Sequence, residues 1–358
     1  MRGGARAGAC SLALSALCLA AAPFVFGEEE IPPPRVLFLD PAAAAEAIVD
    51  DSRQPYFSRL QPMEIAAKTG RPLPRGTLER QRAECRQRYR EAVLGFTAAE
   101  MTEVLRAVEE IHPFLFRNYP RVTRDGWSFV KLDSHIEGGM PHTRGDRIVL
   151  SPRLLRLALD GRRKTGEAGI SGLVGVLLSE QVHVLQRRDP ELFRELYEKV
   201  WGFRRARAIP DHPWLLEHQA VNPDGTDGPW VFPVRSGNET TWIWPTAVIG
   251  ESRGVRRLLG VPSLARDLQL LAVELVPAGD GFALRLEESG MPVVRRLISY
   301  RDYRREFPAV VAPFHPNKIA AESFARIVLP HILGTAGDRT DTDPRLETLD
   351  QWFREKFR

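Results

Sequence analysis

Gly172-Leu-Val-Gly-Val-Leu-Leu-Ser-Glu-Gln-Val-His-Val-Leu-Gln-Arg-Arg188 is an apolar run with Ser179, Glu180, Gln181 and His183 set into its middle. At 3.6 residues per turn, Ser179 and His183 lie about 40° apart around a helix, and Glu180 about 100° from Ser179. Three polar side chains therefore share one arc of an otherwise apolar helix. A buried glutamate is rare without a partner, so what faces that arc decides the fold and the function.

The spacing is that of the H-E-x-x-H zinc helix, with Ser179 in place of the first histidine. Such a helix supplies two imidazole ligands and a general base beside the metal-bound water. In one large class a later helix supplies a glutamate ligand, and an acid four residues on orients a ligating histidine. A second stretch, Phe314-His-Pro-Asn-Lys-Ile-Ala-Ala-Glu-Ser-Phe-Ala325, reads as the start of a later helix. Pro316 sits at a favoured first-turn position, and Lys318 and Glu322 share one face at i and i+4.

SEQVHVLQR, the following DPELF, RELY and WGF segments, and FHPNKIAAESFA together resemble the zincin-type (gluzincin-like) metallopeptidase-like proteins of bacteria. Those read HExVHxxQ and HPEEIxAENFA at the two places. HTRGDRIVLS is similar to the strand that precedes the zinc helix, and Asn222-Pro-Asp-Gly to a loop of that family, although it is first a turn signal. The resemblance runs from Asp133 to about Leu333 and is strong only in the two helices. It implies that Glu180 stands at the general-base position and His183 at a ligand position. It implies that Ser179 and Lys318 stand where two ligands are lost, and that Glu322 stands at the orienting acid. A serine hydroxyl stays protonated near neutral pH, and an ammonium has no lone pair to give. The expectation is a degenerate site with no cofactor, in which Lys318 reaches Glu180 and takes over part of the charge of the zinc, while His183 bonds to Glu322.

The bulk numbers fit this reading. The chain has 358 residues, 43% hydrophobic and 27% charged, with a net charge of +4. That is long enough for a sizeable core. Its arginines are interleaved with acids, without the basic stripe of a nucleic-acid binder. Arg2 and Arg6, the apolar Cys10 to Ala22 and the small residues before Glu28 read as a secretory signal peptide, with an uncleaved anchor as the alternative. No later stretch reaches the ~18 apolar residues of a spanning helix. The mature chain keeps one cysteine, Cys85, and so has no internal disulfide.

Along the chain, Glu28 to Pro34 reads as a linker within an extension over 28–65, and 66–358 as the domain. Thr97-Ala-Ala-Glu100 is a capping box. Trp214 to Trp244 reads as loop-rich. Leu270 to Val276 and Phe282 to Leu286 form a hairpin around Pro277-Ala-Gly-Asp-Gly. The expected fold is α+β: a mostly helical, zincin-like domain with a small sheet. Arg147, Ile148, Val149 and Leu150 are expected as its edge strand, where an extended peptide adds on. The expected function is that of an exported pseudopeptidase binding a peptide or protein in its cleft. The alternative is an active zinc hydrolase using His183, Glu322 and one further ligand, with Glu180 as base.

Overall fold

The computed structural model describes residues 30–52, 54–165, 171–225, 228–236, 239–250, 260–308, 310–335 and 343–358. The expected signal segment lies outside them. Gly172 to Arg188 is helical, within Ser171–Arg188. Leu173, Val174, Leu177, Leu178, Val182, Val184 and Leu185 are all buried. Burial of such side chains stabilises by about 1.5–3 kcal/mol each, which makes this helix the axis of the main core. The Pro316–Ile332 helix packs along it. Leu329 lies against Gly175, where an added Cβ would come to 3.7 Å. His315 caps the second helix by accepting the backbone N–H of Asn317, and the capping box at Thr97 and Glu100 opens the long Ala98–Asn118 helix.

The fold is α+β, and it contains two sheets. The first consists of β1 (Val36–Phe38), β2 (Val93–Leu94), β3 (Trp127–Leu132), β4 (His142–Arg144) and β5 (Arg147–Leu150). Its order is β1-β3-β5-β4, with β2 on the far end of β3. β3 is parallel to β1 and β5, and β4 is antiparallel to β5. Five of the six β3 residues are buried, as befits a strand covered on both faces.

This order corrects the expectation for Arg147 to Leu150. That strand, β5, is interior: Ile148 pairs with Phe129 on one side and with Thr143 on the other. The edge belongs to β4, because the tight turn at Gly145 folds the preceding segment back onto β5. Gly145 takes a φ of +59°, a conformation other residues rarely adopt.

The N-terminal part also differs from expectation. Residues from Pro33 to Arg358 form one compact unit. Leu37 and Phe38 register against Ser128 and Phe129, while Tyr56, Phe57 and Leu60 are fully or nearly fully buried. The 28–65 segment is thus in large part built into the domain rather than set before it.

The second sheet is antiparallel, in the order β10-β9-β8-β7-β6, with β11 beside β9. Its strands are β6 (Arg204–Arg205), β7 (Trp230–Ser236), β8 (Glu239–Ile249), β9 (Leu268–Ala278), β10 (Gly281–Leu284) and β11 (Val294–Arg296). The expected hairpin is β9 and β10, turning at Gly279 and Asp280. The tryptophan-rich stretch is not mainly loop: Trp230 lies on β7, and Trp242 and Trp244 on β8. Among the described residues no helix is long and apolar enough to cross a membrane.

Candidate functional site

The polar arc of the Ser171–Arg188 helix faces β4 and a short loop, Val221 to Gly225. His183 is fully buried and places Nδ1 2.7 Å from Oε1 of Gln186. Gln186 donates Nε2 to the Asn317 carbonyl at 2.9 Å and to the Tyr197 hydroxyl at 3.0 Å. A carbonyl only accepts, so the amide is oriented with Oε1 toward His183, and Nδ1 carries the imidazole proton. Nε2 then presents a lone pair; it is buried and has no hydrogen-bond partner. Burial depresses the His183 pKa from 6.5 to about 3, so the ring is neutral.

His142 on β4 repeats the pattern. Its Nδ1 donates to the Met140 carbonyl at 3.1 Å, and its buried Nε2 has no partner. Burial lowers its pKa as well, against the pull of Glu137 and Asp224.

Glu180 is buried and accepts the Thr143 hydroxyl at 2.7 Å. Burial, followed by the neighbouring Asp224, raises its pKa above the usual carboxylate range. Asp224 is the residue that sequence reasoning missed. Its Oδ1 accepts the Thr143 backbone N–H at 2.7 Å, and its Oδ2 lies 3.8 Å from the Lys318 ammonium. Burial works against its ionisation, but His183, Lys318 and Arg187 together hold its pKa well below the ordinary value. Glu180, His183 and Asp224 each offer a donor atom, and these atoms lie within 4.8 Å of one another.

The loop that delivers Asp224 is fixed from every side. Asn222 accepts the Asp224 N–H at 3.0 Å, closing an Asx turn. Asn317 donates its side-chain amide to the Asp224 carbonyl. Arg187 donates to the Pro223 carbonyl at 2.5 Å and the Thr143 carbonyl at 2.8 Å. Val221 gives its N–H to Glu64 at 2.5 Å and takes Lys68 on its carbonyl at 2.9 Å. Lys68 in turn lies 3.3 Å from Glu64 and 3.2 Å from Glu137. The hydroxyls of Tyr56 and Tyr89 donate to Glu137. Glu137 takes a φ of +51°, the only positive value at a non-glycine among the described residues. Such backbone costs about 1 kcal/mol or more, and this anchored carboxylate holds it in place.

Of the residues singled out in the sequence, Glu180, His183 and Lys318 come together. Ser179 is buried on the same arc. Glu322 does not reach His183: it is half-buried and accepts the Val311 N–H at 2.8 Å. The expected contact of Lys318 is redirected, since its ion pair is with Asp224, while Glu180 and Glu322 act on it through space. The Thr143 N–H and C=O on the edge of β4 are engaged by Asp224 and Arg187, so an added strand finds those groups taken.

An open cleft adjoins the loop. Asn222 and Gly225 line it together with Leu215, Trp244, Phe314, His315 and Arg59. No protein-family model, curated protein or solved structure matches this chain.

Proposed function

We propose that this protein is a non-catalytic, pseudopeptidase-type binding protein, in which a lysine–aspartate ion pair stands where a zinc peptidase holds its metal. The observation that supports this most directly is the Lys318 ammonium on Asp224, beside Glu180 and His183. The donor set has the numbers for zinc, with one imidazole and two carboxylates. It fails on charge. An ammonium less than 4 Å from one donor repels a dication, and both Asp224 oxygens already have partners. The ammonium instead neutralises a buried carboxylate that would otherwise be costly. With the edge of β4 occupied at Thr143, ligand binding falls to the cleft beside the loop.

The second reading is a metallohydrolase, and the unpartnered Nε2 of His183 favours it. It would draw on His183 and Asp224 with Glu180 as base; Glu322, turned toward Val311, drops out.

Elemental analysis of protein purified without chelator, together with digestion of an unstructured protein, separates the two. The binding-protein reading expects no stoichiometric zinc and no cleavage. About one zinc per chain, with cleavage lost on Glu180→Gln, overturns it. The combined substitution Ser179→His and Lys318→Glu should create zinc affinity, because the two helices already face each other.

A further inference from the structure

We propose that a second site, lined by residues of β7, β8, β9 and β11 and by the segment from Ser299 to Asp302, binds a ligand carrying phosphate or sulfate groups. Four arginines, Arg235, Arg285, Arg295 and Arg301, line one cavity of about 750 Å³ with only two carboxylates, Glu274 and Asp302.

Both carboxylates are committed. Glu274 is buried and accepts Arg285 Nη1 at 3.3 Å, Arg295 Nε at 3.0 Å and the Tyr300 hydroxyl at 2.7 Å. Asp302 accepts the Arg235 backbone N–H at 3.3 Å and the Arg305 guanidinium at 3.0 Å. The guanidiniums of Arg235 and Arg301 have no acid partner among the described residues.

A guanidinium carries five N–H donors in a planar fork. Arg285 and Arg295 each spend one on Glu274, which fixes their stems and leaves the remaining donors for a ligand. The cavity therefore holds a surplus of two positive charges, with two of its four forks anchored on Glu274, the chemistry that grips tetrahedral oxyanions in a bidentate manner. It is too large for a bare phosphate, so the group arrives on a larger molecule. A phospholipid headgroup and a soluble phosphate or sulfate ester share this chemistry.

The probe is inorganic pyrophosphate, titrated calorimetrically into the full-length protein at low salt, where exposed charges are least screened. Saturable binding at one site per chain is expected. The combined substitution Arg235→Gln and Arg301→Gln should weaken it by about tenfold or more, without altering the thermal melt, since neither guanidinium is ion-paired with Glu274 among the described residues. The pair Arg71→Gln and Arg75→Gln removes the same charge from another exposed surface and should leave binding unchanged. Absence of saturable binding overturns the proposal, as does equal weakening by the two pairs. Phosphatidylglycerol vesicles identify the source. Sedimentation that pyrophosphate blocks and Arg235→Gln with Arg301→Gln abolishes assigns a headgroup. No sedimentation beside saturable pyrophosphate binding assigns a soluble ester.

Discussion

At the scale of single residues, Glu180 and His183 are perturbed in opposite senses, and that makes the cluster measurable. Burial, with help from Asp224, lifts Glu180 from 4.5 to about 7. Burial drops His183 from 6.5 to about 3. The raised carboxyl takes its proton more readily in the folded chain than in the unfolded one, so Glu180 adds stability as pH falls from 7 toward 4.5. The depressed imidazole declines a proton that the unfolded chain accepts, so His183 removes stability as pH falls below 6.5. Between about pH 4.5 and 6.5 the two slopes oppose each other. Glu180→Gln deletes one of them. The variant should lose stability on acidification more steeply than the parent, by about 1.4 kcal/mol per pH unit. Urea denaturation at several pH values across this window measures it. Parallel pH slopes for the two proteins would mean that Glu180 is ionised in the folded state and that Lys318 compensates it directly.

At the scale of elements, the helices were legible and the pairings were not. The Ser171–Arg188 and Pro316–Ile332 helices, the capping box and the β9–β10 hairpin are written in local patterns: apolar spacing, a cap, a turn. Which strand forms the edge of a sheet is decided by contacts distant in sequence, and an apolar Arg-Ile-Val-Leu segment looks the same inside or at the border. Asp224 was hidden for a related reason. Asn222-Pro-Asp-Gly satisfies a turn on its own terms, so nothing local shows that its aspartate enters a buried site. The residues that fix it lie elsewhere: Glu64 and Lys68 hold Val221, and Glu137 holds Lys68. Lys68→Met tests this clamp. It leaves two carboxylates sharing a dry pocket and frees the Val221 carbonyl. The expected cost is about 3–5 kcal/mol, read from the urea midpoint. Faster amide exchange at Thr143 should accompany it, because that N–H is held by the loop. A loss of stability with Thr143 exchange unchanged would show that the clamp stabilises the core without positioning Asp224.

At the scale of the whole molecule, the boundary drawn from sequence and the boundary found in the structure make opposite predictions. Proline and acidic residues over Glu28 to Pro34 carry a linker's composition, and the stretch that follows, Arg35 to Arg75, shows no strong period. Their place is fixed by a partner far along the chain. Trp127 donates its N–H to the Arg35 carbonyl at 2.8 Å, and an added Cβ on Gly126 would meet that same oxygen at 2.8 Å. Gly126 takes a φ of +77°, so the close approach of β1 to β3 depends on a residue without a side chain. Its carbonyl also accepts Gln181 of the central helix at 3.0 Å, which ties the docking of β1 to the helix that bears the site. Behind β1, Tyr56 supplies a hydroxyl to Glu137, Asp51 pairs with the buried Arg144 of β4, and Gln54 accepts Arg187. A chain beginning at Ala66 loses all of these. It strands Arg144 without its ion-pair partner, takes Tyr56 from Glu137 and Glu64 from Lys68, and uncovers the edge of β3, and a buried charge left unpaired costs about 3 kcal/mol or more. Losses on that scale approach the whole stability of an ordinary domain. A chain beginning at Pro33 should therefore melt cooperatively at the temperature of the full chain. One beginning at Ala66 should be insoluble or show no cooperative transition by circular dichroism. A cooperative melt from the shorter chain would show that β1 and the 33–65 segment decorate a domain that stands without them, and would return the boundary to where the composition alone had put it.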